Sequence, residues 1–385
     1  MVLQSPRVTG HQDVVRLEAT FRTGDQDGQL WFEVPADWAD LLEPDLCDAF
    51  VVGLLPLALS QGSDLEVQGP VSARLVHGLN HTYLPVQAIL LGASGHGSVR
   101  ASEVVHGGQP ADGAATGFSG GIDSFCAVRD LHLDAPPEAV RLTHLALFNV
   151  GSHESGERGR AVFRQRAEQL TPCADELGLP LVLVDSNLDD LVPYGFQRTH
   201  TTRSFAAAMA LQRGWGTYYY SSGQSFAATK VTESSLCTYV DPVAIPALAS
   251  DTFRPIAYGA HYSRVDKTER VAPLEAAQRC LDVCVDPKVG RTVNCSACTK
   301  CLRTMLTLEL LGWLDQFSEV FDLSLYETVR TKYMVKLLND RSDELAAEVR
   351  EALLASDTAI PPLVRLEAWL RRMLRPLKQL VGHRG

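Results

Sequence analysis

Alternating apolar and polar residues characterise the first region of the chain, residues 1–112. The segments LEATFR and QLWFEV alternate with the period expected of strands, and the turn-forming segment TGDQDGQ separates them. The longer segment PADWADLLEPDLCDAFVVGLLPLAL has helical spacing, and DLEVQG and ARLVHG are two further predicted strands. We therefore expect this region to form an α+β accessory domain, with turn-rich segments near its end.

Short apolar segments alternate with longer helical segments in the second region, residues 113–280. The predicted strands are ATGF, LTHLALFNV, LPLVLVDS, GTYYYSSG and RPIAYG. The predicted helices between them are DSFCAVRDLHL, ERGRAVFRQRAEQLTPCADELG and THTTRSFAAAMALQRG. Apolar strands separated by helices favour an α/β fold with a parallel sheet covered on both faces. Ligands of such sheets bind at the carboxyl ends of the strands.

The third region, residues 281–385, begins with a cysteine cluster and then has helical spacing. The predicted helices are RTMLTLELLGWLDQF, ETVRTKYMVKLLND, SDELAAEVREALLAS and LVRLEAWLRRMLRPLKQL. In the last helix, one face carries apolar residues, namely Leu366, Trp369, Leu370, Met373 and Leu377. Much of the remainder of this helix is basic. We expect a final helix docked on the core with a basic rim, and a contact with a partner or nucleic acid is the alternative.

Two adjacent glycines follow the first predicted strand of the second region, in the segment TGFSGGIDSFCAV. Gly120 and Gly121 let the backbone turn without a Cβ clash, so successive N–H groups can point inward around an anion. A helix that begins near Ile122 adds the positive end of its dipole at the same place. The segment therefore predicts a phosphate-binding loop, although a capped glycine turn is the simpler alternative.

Polar side chains in this loop fit a nucleotide with its metal ion. Ser119 and Ser124 supply hydroxyl donors for phosphate oxygens, and Asp123 makes sense beside polyphosphate if it coordinates Mg²⁺. The loop contains neither the GxxxxGK[ST] nor the GxGxxG pattern. It therefore differs from the common nucleotide-binding loops.

Three of the nine cysteines lie in the segment NCSACTKC, as Cys295, Cys298 and Cys301. Cys284 precedes them, and four thiolates would complete the tetrahedral site typical of structural zinc. Cys280 is an alternative fourth ligand. An iron–sulfur cluster and a set of ordinary core cysteines are the other interpretations of the same spacing.

Composition narrows the class of protein. A formal net charge of −11 argues against a broad, non-specific contact with nucleic acid. Apolar residues make up 45% of the chain, yet we find no apolar segment of membrane-spanning length and no apolar signal region at the N-terminus. We therefore expect a cytoplasmic globular protein that does not bind membranes, and a homodimer is left open.

The segment SGGIDS resembles the PP-loop of the N-type ATP pyrophosphatases. This resemblance implies a Rossmann-like five-stranded parallel sheet of the adenine nucleotide alpha hydrolase type. It also implies that ATP is cleaved between its α and β phosphates while a substrate is adenylated. Because CxxCxxC follows downstream, the chain is most similar to the 7-cyano-7-deazaguanine synthase (QueC) family. The similarity covers roughly residues 114–310 and implies ATP, Mg²⁺ and Zn²⁺ as cofactors.

The resemblance also implies roles for residues outside the loop. THTTRS, YYYSSGQS and RVDKTE resemble family segments and implicate Arg203, Gly223 and Lys267. Together with Asp123 and Ser124, Arg203 and Lys267 are the predicted catalytic residues. A lysine at such a position is more often solvated on the surface.

The end of the second strand of this region is expected to contact the base and ribose. The residues concerned are Asn149, Gly151, Ser152 and His153. His153 is also a candidate general base, although a histidine in a loop is usually exposed.

The segment QSFAATKVTESS departs from the family, which has acidic, tyrosine and proline residues at that place. We therefore expect a ligase that adenylates a carboxylate on a small molecule, peptide or protein and converts it to an amide or nitrile. Residue 2 is Val2, so no N-terminal cysteine supplies a glutaminase, and ammonia or an amine would be the donor. The alternatives are thiolation of a tRNA base or small molecule, and a non-catalytic nucleotide-binding subunit.

Overall fold

The computed structural model describes residues 1–153, 156–284, 294–340, 343–356 and 360–381. The chain divides into two compact units. The first unit comprises Met1–Ser119 and Asp123–His261, and the second comprises Gly120–Ile122 and Tyr262–Gly385. The fold is α/β, with a large sheet in the first unit and a helical C-terminal region in the second.

An 11-stranded sheet forms the framework of the first unit. The strands are β1 (Val2–Gln4), β2 (Arg7–His11), β3 (Val14–Thr23), β4 (Gln26–Pro35), β5 (Leu65–Ser72), β6 (Val99–Val105), β7 (Gly113–Gly117), β8 (His144–Asn149), β9 (Leu181–Ser186), β10 (Trp215–Ser221) and β11 (Arg254–Tyr258). Their order is β11-β10-β7-β8-β9-β4-β3-β1-β5-β6, and β2 pairs with β3.

The five strands predicted in the second region of the sequence are β7 to β11, and all of them are parallel to their neighbours within this set. After β7 the chain adds β8 and β9 on one side, then crosses to add β10 and β11 on the other side. The strand order therefore reverses beside β7. In parallel sheets, the crevice at the carboxyl ends of the strands beside such a reversal is where ligands bind.

The N-terminal strands continue the same sheet through an antiparallel contact, although β1, β5 and β6 pair in parallel with one another. β4 pairs with β9, with Phe32 opposite Ser186. Side chains reinforce this junction, because Ser186 Oγ donates to the Trp31 carbonyl at 2.8 Å and Asn187 Oδ1 accepts from the Trp31 N–H at 3.0 Å. The predicted boundary near residue 112 lies between β6 and β7 of this one sheet.

The helices alternate with the strands in the first unit and dominate the second. In chain order they are α1 (Asp48–Ser60), α2 (Ala73–Gly78), α3 (Leu84–Leu91), α4 (Ile122–Val128), α5 (Gly156–Leu177), α6 (Leu188–Leu191), α7 (Phe196–Ala210), α8 (Asp241–Ala244), α9 (Arg264–Val271), α10 (Glu275–Cys280), α11 (Thr299–Leu310), α12 (Leu323–Asn339), α13 (Glu344–Ala355) and α14 (Pro362–Val381). Within the described residues, none of them is long and apolar enough to cross a membrane.

Two predictions for the N-terminal region were wrong. ARLVHG is helix α2 instead of a strand, and a π-helical turn joins it to α3. Leu75, Leu79 and Tyr83 are buried at intervals of four, which is helical spacing that a six-residue window hides. The segment from Pro35 to Leu59 is also not one helix, because a 3₁₀ turn and α1 are separated around Pro44.

Small residues let two helices of the first unit pack closely in the core. Gly53 of α1 is so placed that a Cβ would lie 2.9 Å from Leu30 and 3.5 Å from the Ala206 Cβ of α7. Ala206, Ala207 and Ala208 are fully buried. The alanine-rich sequence of α7 is therefore explained by the close approach of α1.

A buried carboxylate makes the stability of this core depend on pH. Asp48 is completely buried at the start of α1, where its Oδ1 and Oδ2 accept from the Ser72 N–H at 2.9 Å and the Ser72 hydroxyl at 2.6 Å. Burial raises the pKa of Asp48 to about 6. The native state therefore retains a proton that the unfolded state has lost between about pH 4 and pH 6. Stability falls as the pH rises through that window.

We expect Asp48→Asn to stabilise the protein at pH 8, by up to roughly 3 kcal/mol, because asparagine carries no charge to desolvate. The gain should disappear near pH 4, where the wild-type carboxyl is protonated. Thermal unfolding at several pH values measures the difference. Glu66→Gln on the exposed face of β5 is the matched control, and an equal gain there would contradict the role of burial.

Candidate functional site

The predicted phosphate loop lies between the end of β7 and the start of α4. The Phe118 N–H donates to the Ala146 carbonyl at 2.7 Å, which ties the beginning of the loop to β8. Gly120 has a φ of 74°, a left-handed conformation that favours glycine. Helical turns continue beyond α4 as a π-helix to Leu133.

The polar residues of the loop differ in exposure. Ser119 is exposed, Asp123 is half-buried, and Ser124 is buried. Asp123 lies in the first turn of α4, where Ser124 follows it. An exposed hydroxyl and a partly accessible carboxylate at a glycine turn are groups that a phosphate and its metal ion could use.

The loop after β8 is a network of hydrogen bonds. Asn149 Nδ2 donates to Asp185 Oδ1 at 2.6 Å, and Asn149 Oδ1 lies 3.3 Å from His153 Nδ1. Ser152 Oγ lies 3.0 Å from the same nitrogen. These contacts hold both ends of the segment from Asn149 to His153 against each other.

His153 is buried and packs on the ring of Phe163, contrary to the usual exposure of a loop histidine. Burial, together with the positive charge of Arg166, lowers the pKa of His153 to about 3. The imidazole is therefore neutral near pH 7. A buried ring with so low a pKa is suited to hydrogen bonding and poorly suited to accepting a proton as a general base.

Arg203 is the central contact of this loop. The guanidinium is 1% exposed and donates to the Val150 carbonyl at 2.9 Å, to Asp189 Oδ1 at 2.6 Å and to the Tyr194 carbonyl at 2.9 Å. Its Nε donates to Thr199 Oγ1 at 2.9 Å. Arg203 on α7 thus connects the end of β8 with the segment around α6. Burial lowers the pKa of Arg203, and the hydrogen bond to Asp189 opposes that shift.

Only glycine fits at position 151, because Arg203 and Asp189 lie directly against its backbone. Its φ is 113°, and a Cβ at this position would overlap Arg203 Nη1 and lie 2.5 Å from Asp189 Oδ1. The glycine therefore allows the loop backbone to lie directly on the buried ion pair.

Gly223 follows β10, as the sequence predicted, and is half-buried near Thr238. The preceding residue, Ser222, donates its N–H to the Tyr258 carbonyl at 2.8 Å, so the end of β10 stays joined to the end of β11.

A polar cluster beside the end of β10 was missed at the sequence level. Thr201 Oγ1 donates to Asp241 Oδ1 at 2.8 Å and lies 3.3 Å from Cys237 Sγ, and His200 Nδ1 is hydrogen-bonded to the Tyr220 hydroxyl. Burial raises the pKa of both Asp241 and Cys237. The polar triplet His200-Thr201-Thr202, shortly before the buried alanine-rich end of α7, was the available signal.

Lys267 lies in α9 of the second unit and is 2% exposed. The expectation of a solvated surface lysine is therefore wrong. Ser263 and Asp266 form a reciprocal capping box at the start of α9, which fixes the turn on which Lys267 lies. A lysine buried to this degree is kept in proteins for a partner or a function.

Four cysteines of the second unit converge on one point. The Sγ atoms of Cys284, Cys295, Cys298 and Cys301 all lie within 4.8 Å of one another. The Sγ of Cys301 is 3.4 Å from that of Cys298 and 3.7 Å from that of Cys295. Tetrahedral zinc with Zn–S bonds of about 2.3 Å requires S–S separations of roughly 3.8 Å, so the donor set fits such an ion. Among the described residues, Cys280 is not part of this group.

Local backbone geometry presents the thiols inward. The N–H of Cys298 donates to Cys295 Sγ at 3.1 Å, and the N–H of Cys301 donates to Cys298 Sγ at 3.5 Å, where Cys298 caps α11. The hydrogen bond to Cys298, burial and the surrounding thiols together raise the pKa of Cys301. Four thiolates at this spacing repel one another, and a bound cation would offset that repulsion.

Hydrogen bonds connect the cysteine group with Gly120 of the phosphate loop inside the second unit. Asp282 Oδ1 accepts from the Cys284 N–H at 3.0 Å, and the Asp282 N–H donates to the Gly120 carbonyl at 2.8 Å. Asn294 Oδ1 accepts from the Val283 N–H at 2.8 Å. The segment before Cys284 is therefore held by both the cysteine region and Gly120.

The predicted site residues thus fall into two groups. The first unit holds Ser119, Asp123, Ser124, Asn149, Gly151, Ser152, His153, Arg203 and Gly223. Apart from Arg203 on α7, these residues lie at or shortly after the carboxyl ends of β7, β8 and β10. The second unit holds Gly120, Gly121, Lys267 and the four cysteines.

Comparison with known proteins gives no relative, because no protein-family model, curated protein or solved structure matches the chain.

Proposed function

We propose that the chain is an ATP-dependent ligase of the PP-loop type, similar to the QueC family, with a Rossmann-like central sheet. In this proposal ATP is cleaved between its α and β phosphates, AMP is transferred to a carboxylate, and pyrophosphate is released. Ammonia or an amine then displaces AMP to give an amide. With ammonia, a second ATP would adenylate the oxygen of the primary amide, and loss of AMP with the amide protons would give a nitrile.

The observation that carries the proposal is the position of SGGIDS. The segment follows β7, directly beside the reversal of strand order, and Gly120 adopts the left-handed conformation that a tight anion-binding turn uses. The loops after β8 and β10 begin at the same edge of the sheet, because both strands are parallel to β7. A nucleotide bound there would reach polar groups from all three loops.

Each polar group has a role that its burial and charge allow. The loop N–H groups and the Ser119 hydroxyl would hold the departing pyrophosphate, and Asp123 would hold Mg²⁺. When bound, Mg²⁺ neutralises charge that develops on the phosphate oxygens. His153 is neutral and buried, so we assign it to shaping the loop after β8. Arg203 is buried and its guanidinium donates to groups of the protein itself, so we assign it to positioning that loop.

The second unit would hold a metal centre of its own. Cys284, Cys295, Cys298 and Cys301 would hold zinc as a closed structural site, since all four positions of a tetrahedron are occupied by thiolates.

Sulfur transfer is less well supported. That chemistry needs an accessible thiol or a cluster with a free position. Cys126, which follows the phosphate loop, is 1% exposed in α4, and four protein ligands leave no open position in the cysteine group.

The proposal predicts that purified protein with Mg²⁺ and ATP releases AMP and pyrophosphate when an acceptable carboxylic acid is supplied. A panel of small carboxylic acids and peptides provides the substrates. Asp123→Asn keeps the shape of the side chain but removes the metal ligand, so we expect pyrophosphate release to fall about 100-fold or more. Asp112→Asn is the matched control, since Asp112 is exposed and lies directly before β7.

The nucleotide products decide the outcome. Release of ADP and phosphate would contradict cleavage between the α and β phosphates. Nucleotide binding without turnover across the panel would favour a non-catalytic subunit. Equal activity of Asp123→Asn and wild type would overturn the assignment of the loop.

A further inference from the structure

The last helix, α14, directs its apolar side away from the protein. It packs on α12 through a narrow stripe in which Val364 is fully buried and Ala368 is 3% exposed. Arg372 donates to the Leu338 carbonyl of α12 at 3.3 Å. At about 100° per residue, these residues define one side of the helix.

The opposite side of α14 is apolar and open to solvent. Its exposed large side chains are Leu363 (76% exposed), Leu366 (52%), Trp369 (51%), Leu370 (43%) and Met373 (57%). A docked surface helix normally has the reverse arrangement, with its apolar face on the core and its charges outside. An apolar face turned outward in this way indicates a surface that another molecule covers.

The spacing of this apolar stripe is that of a helix-pairing seam. Leu363, Leu366, Leu370 and Met373 alternate at intervals of three and four, and Leu377 and Leu380 continue the same spacing in the sequence. The charges lie outside the seam. Glu367 and Arg371, for example, pair with each other along one helix at 2.6 Å.

We propose that α14 pairs with α14 of a second copy of this chain in an antiparallel, two-fold symmetric contact. A pair centred on residue 368 places Leu366 opposite Leu370 and Leu363 opposite Met373, so the seam is complementary to itself. A two-fold interface requires this property, since each surface must match its own copy.

The exposed apolar area of α14 is large enough for a weak two-fold interface. Side chains of this size present roughly 150–250 Å² each when fully exposed, so the stripe leaves on the order of 500 Å² uncovered on each copy. Two copies would bury roughly 1,000 Å², which is near the lower limit for a specific interface. The pair is therefore reversible and depends on protein concentration.

Sedimentation velocity of the full chain over a wide concentration range tests the proposal. Wild type is expected to shift from monomer to dimer as the concentration rises. Leu366→Glu combined with Leu370→Glu should remain monomeric, because two carboxylates would be buried against their copies. Leu354→Glu is the matched control, since Leu354 on α13 is 61% exposed and lies outside the stripe.

Circular dichroism and zinc content show whether each variant keeps its fold, and both are expected to match wild type because the substituted leucines are exposed. Wild type that stays monomeric at every concentration would overturn the proposal. So would a dimer that persists in the double variant, or one that Leu354→Glu also abolishes. Binding of monomeric wild type to vesicles of anionic lipid would instead identify a membrane surface as the occupant.

Discussion

Cys301→Ser is expected to lose the bound metal ion and to abolish cooperative folding of the second unit. Cys301 is fully buried, and its Sγ lies within 4.8 Å of the other three sulfur atoms. Structural zinc contributes on the order of 10 kcal/mol to small metal-binding domains, which is comparable with the whole stability of a domain. Serine cannot replace a thiolate ligand at neutral pH.

If the chain binds ATP as we propose, the same variant should weaken that binding by about tenfold or more, which corresponds to a loss of about 1.4 kcal/mol or more in binding free energy. Asp282 is hydrogen-bonded both to the Cys284 N–H and to the Gly120 carbonyl. When the cysteine group loses its ion, the segment that holds Gly120 loses its support. Elemental analysis measures the metal content, circular dichroism measures the folding of the second unit, and calorimetric titration measures the affinity for ATP.

Cys280→Ser is the matched control, because Cys280 ends α10 only four residues before Cys284 but does not belong to the metal group. It should retain one zinc ion per chain and normal ATP affinity. Loss of the metal in Cys280→Ser, or full zinc content in Cys301→Ser, would contradict the assignment of ligands. Visible absorbance with bound iron would identify an iron–sulfur cluster in place of zinc.

The central strands and the cysteine group were predictable because their signals are local. Each of β7 to β11 is a short apolar segment bounded by turn residues. The doubled CxxC spacing places three thiols at the start of one helix. Only a few neighbouring residues determine this arrangement, so it can be predicted from the sequence. The choice of Cys284 over Cys280 required three-dimensional distances, since the sequence allowed both.

The roles of Arg203 and His153 were not predictable in the same way. Arg203 is satisfied by Val150 and Asp189, which are distant in sequence and meet it only after the sheet has formed. His153 lies in a loop that sequence alone suggests is exposed, yet Phe163 and Asn149 cover it. Burial of polar groups depends on tertiary contacts, which periodicity does not encode.

The pairing of the N-terminal strands with the central sheet was also not predictable from the sequence. The turn-rich segments before residue 113 indicate a boundary, and they do separate β6 from β7. The pairing of β4 with β9 joins residues about 150 positions apart through a short antiparallel contact. Alternation of apolar and polar residues predicts that a segment is a strand, but it does not indicate which other strand pairs with it.

Arg203→Met is expected to destabilise the first unit by about 3 kcal/mol, because it removes one member of a buried ion pair and leaves the other without its partner. Removing one partner of a buried ion pair usually costs about 3–5 kcal/mol of stability. We expect a value at the low end, because Asp189 keeps 28% of its side chain exposed. The Val150 and Tyr194 carbonyls also lose their donors. Arg203→Lys should recover only part of the loss, because an ammonium cannot reproduce the planar set of donors.

Chemical denaturation measures this effect, and Arg213→Met is the matched control. Arg213 forms its ion pair with Asp45 on the surface, so its loss should cost about 1 kcal/mol or less. A double-mutant cycle with Asp189→Asn isolates the pair itself. If Arg203 instead contacted the transferred phosphate, Arg203→Met would slow pyrophosphate release and leave stability unchanged. Loss of stability and of ATP affinity together, with partial recovery in Arg203→Lys, is the result that a positioning role requires.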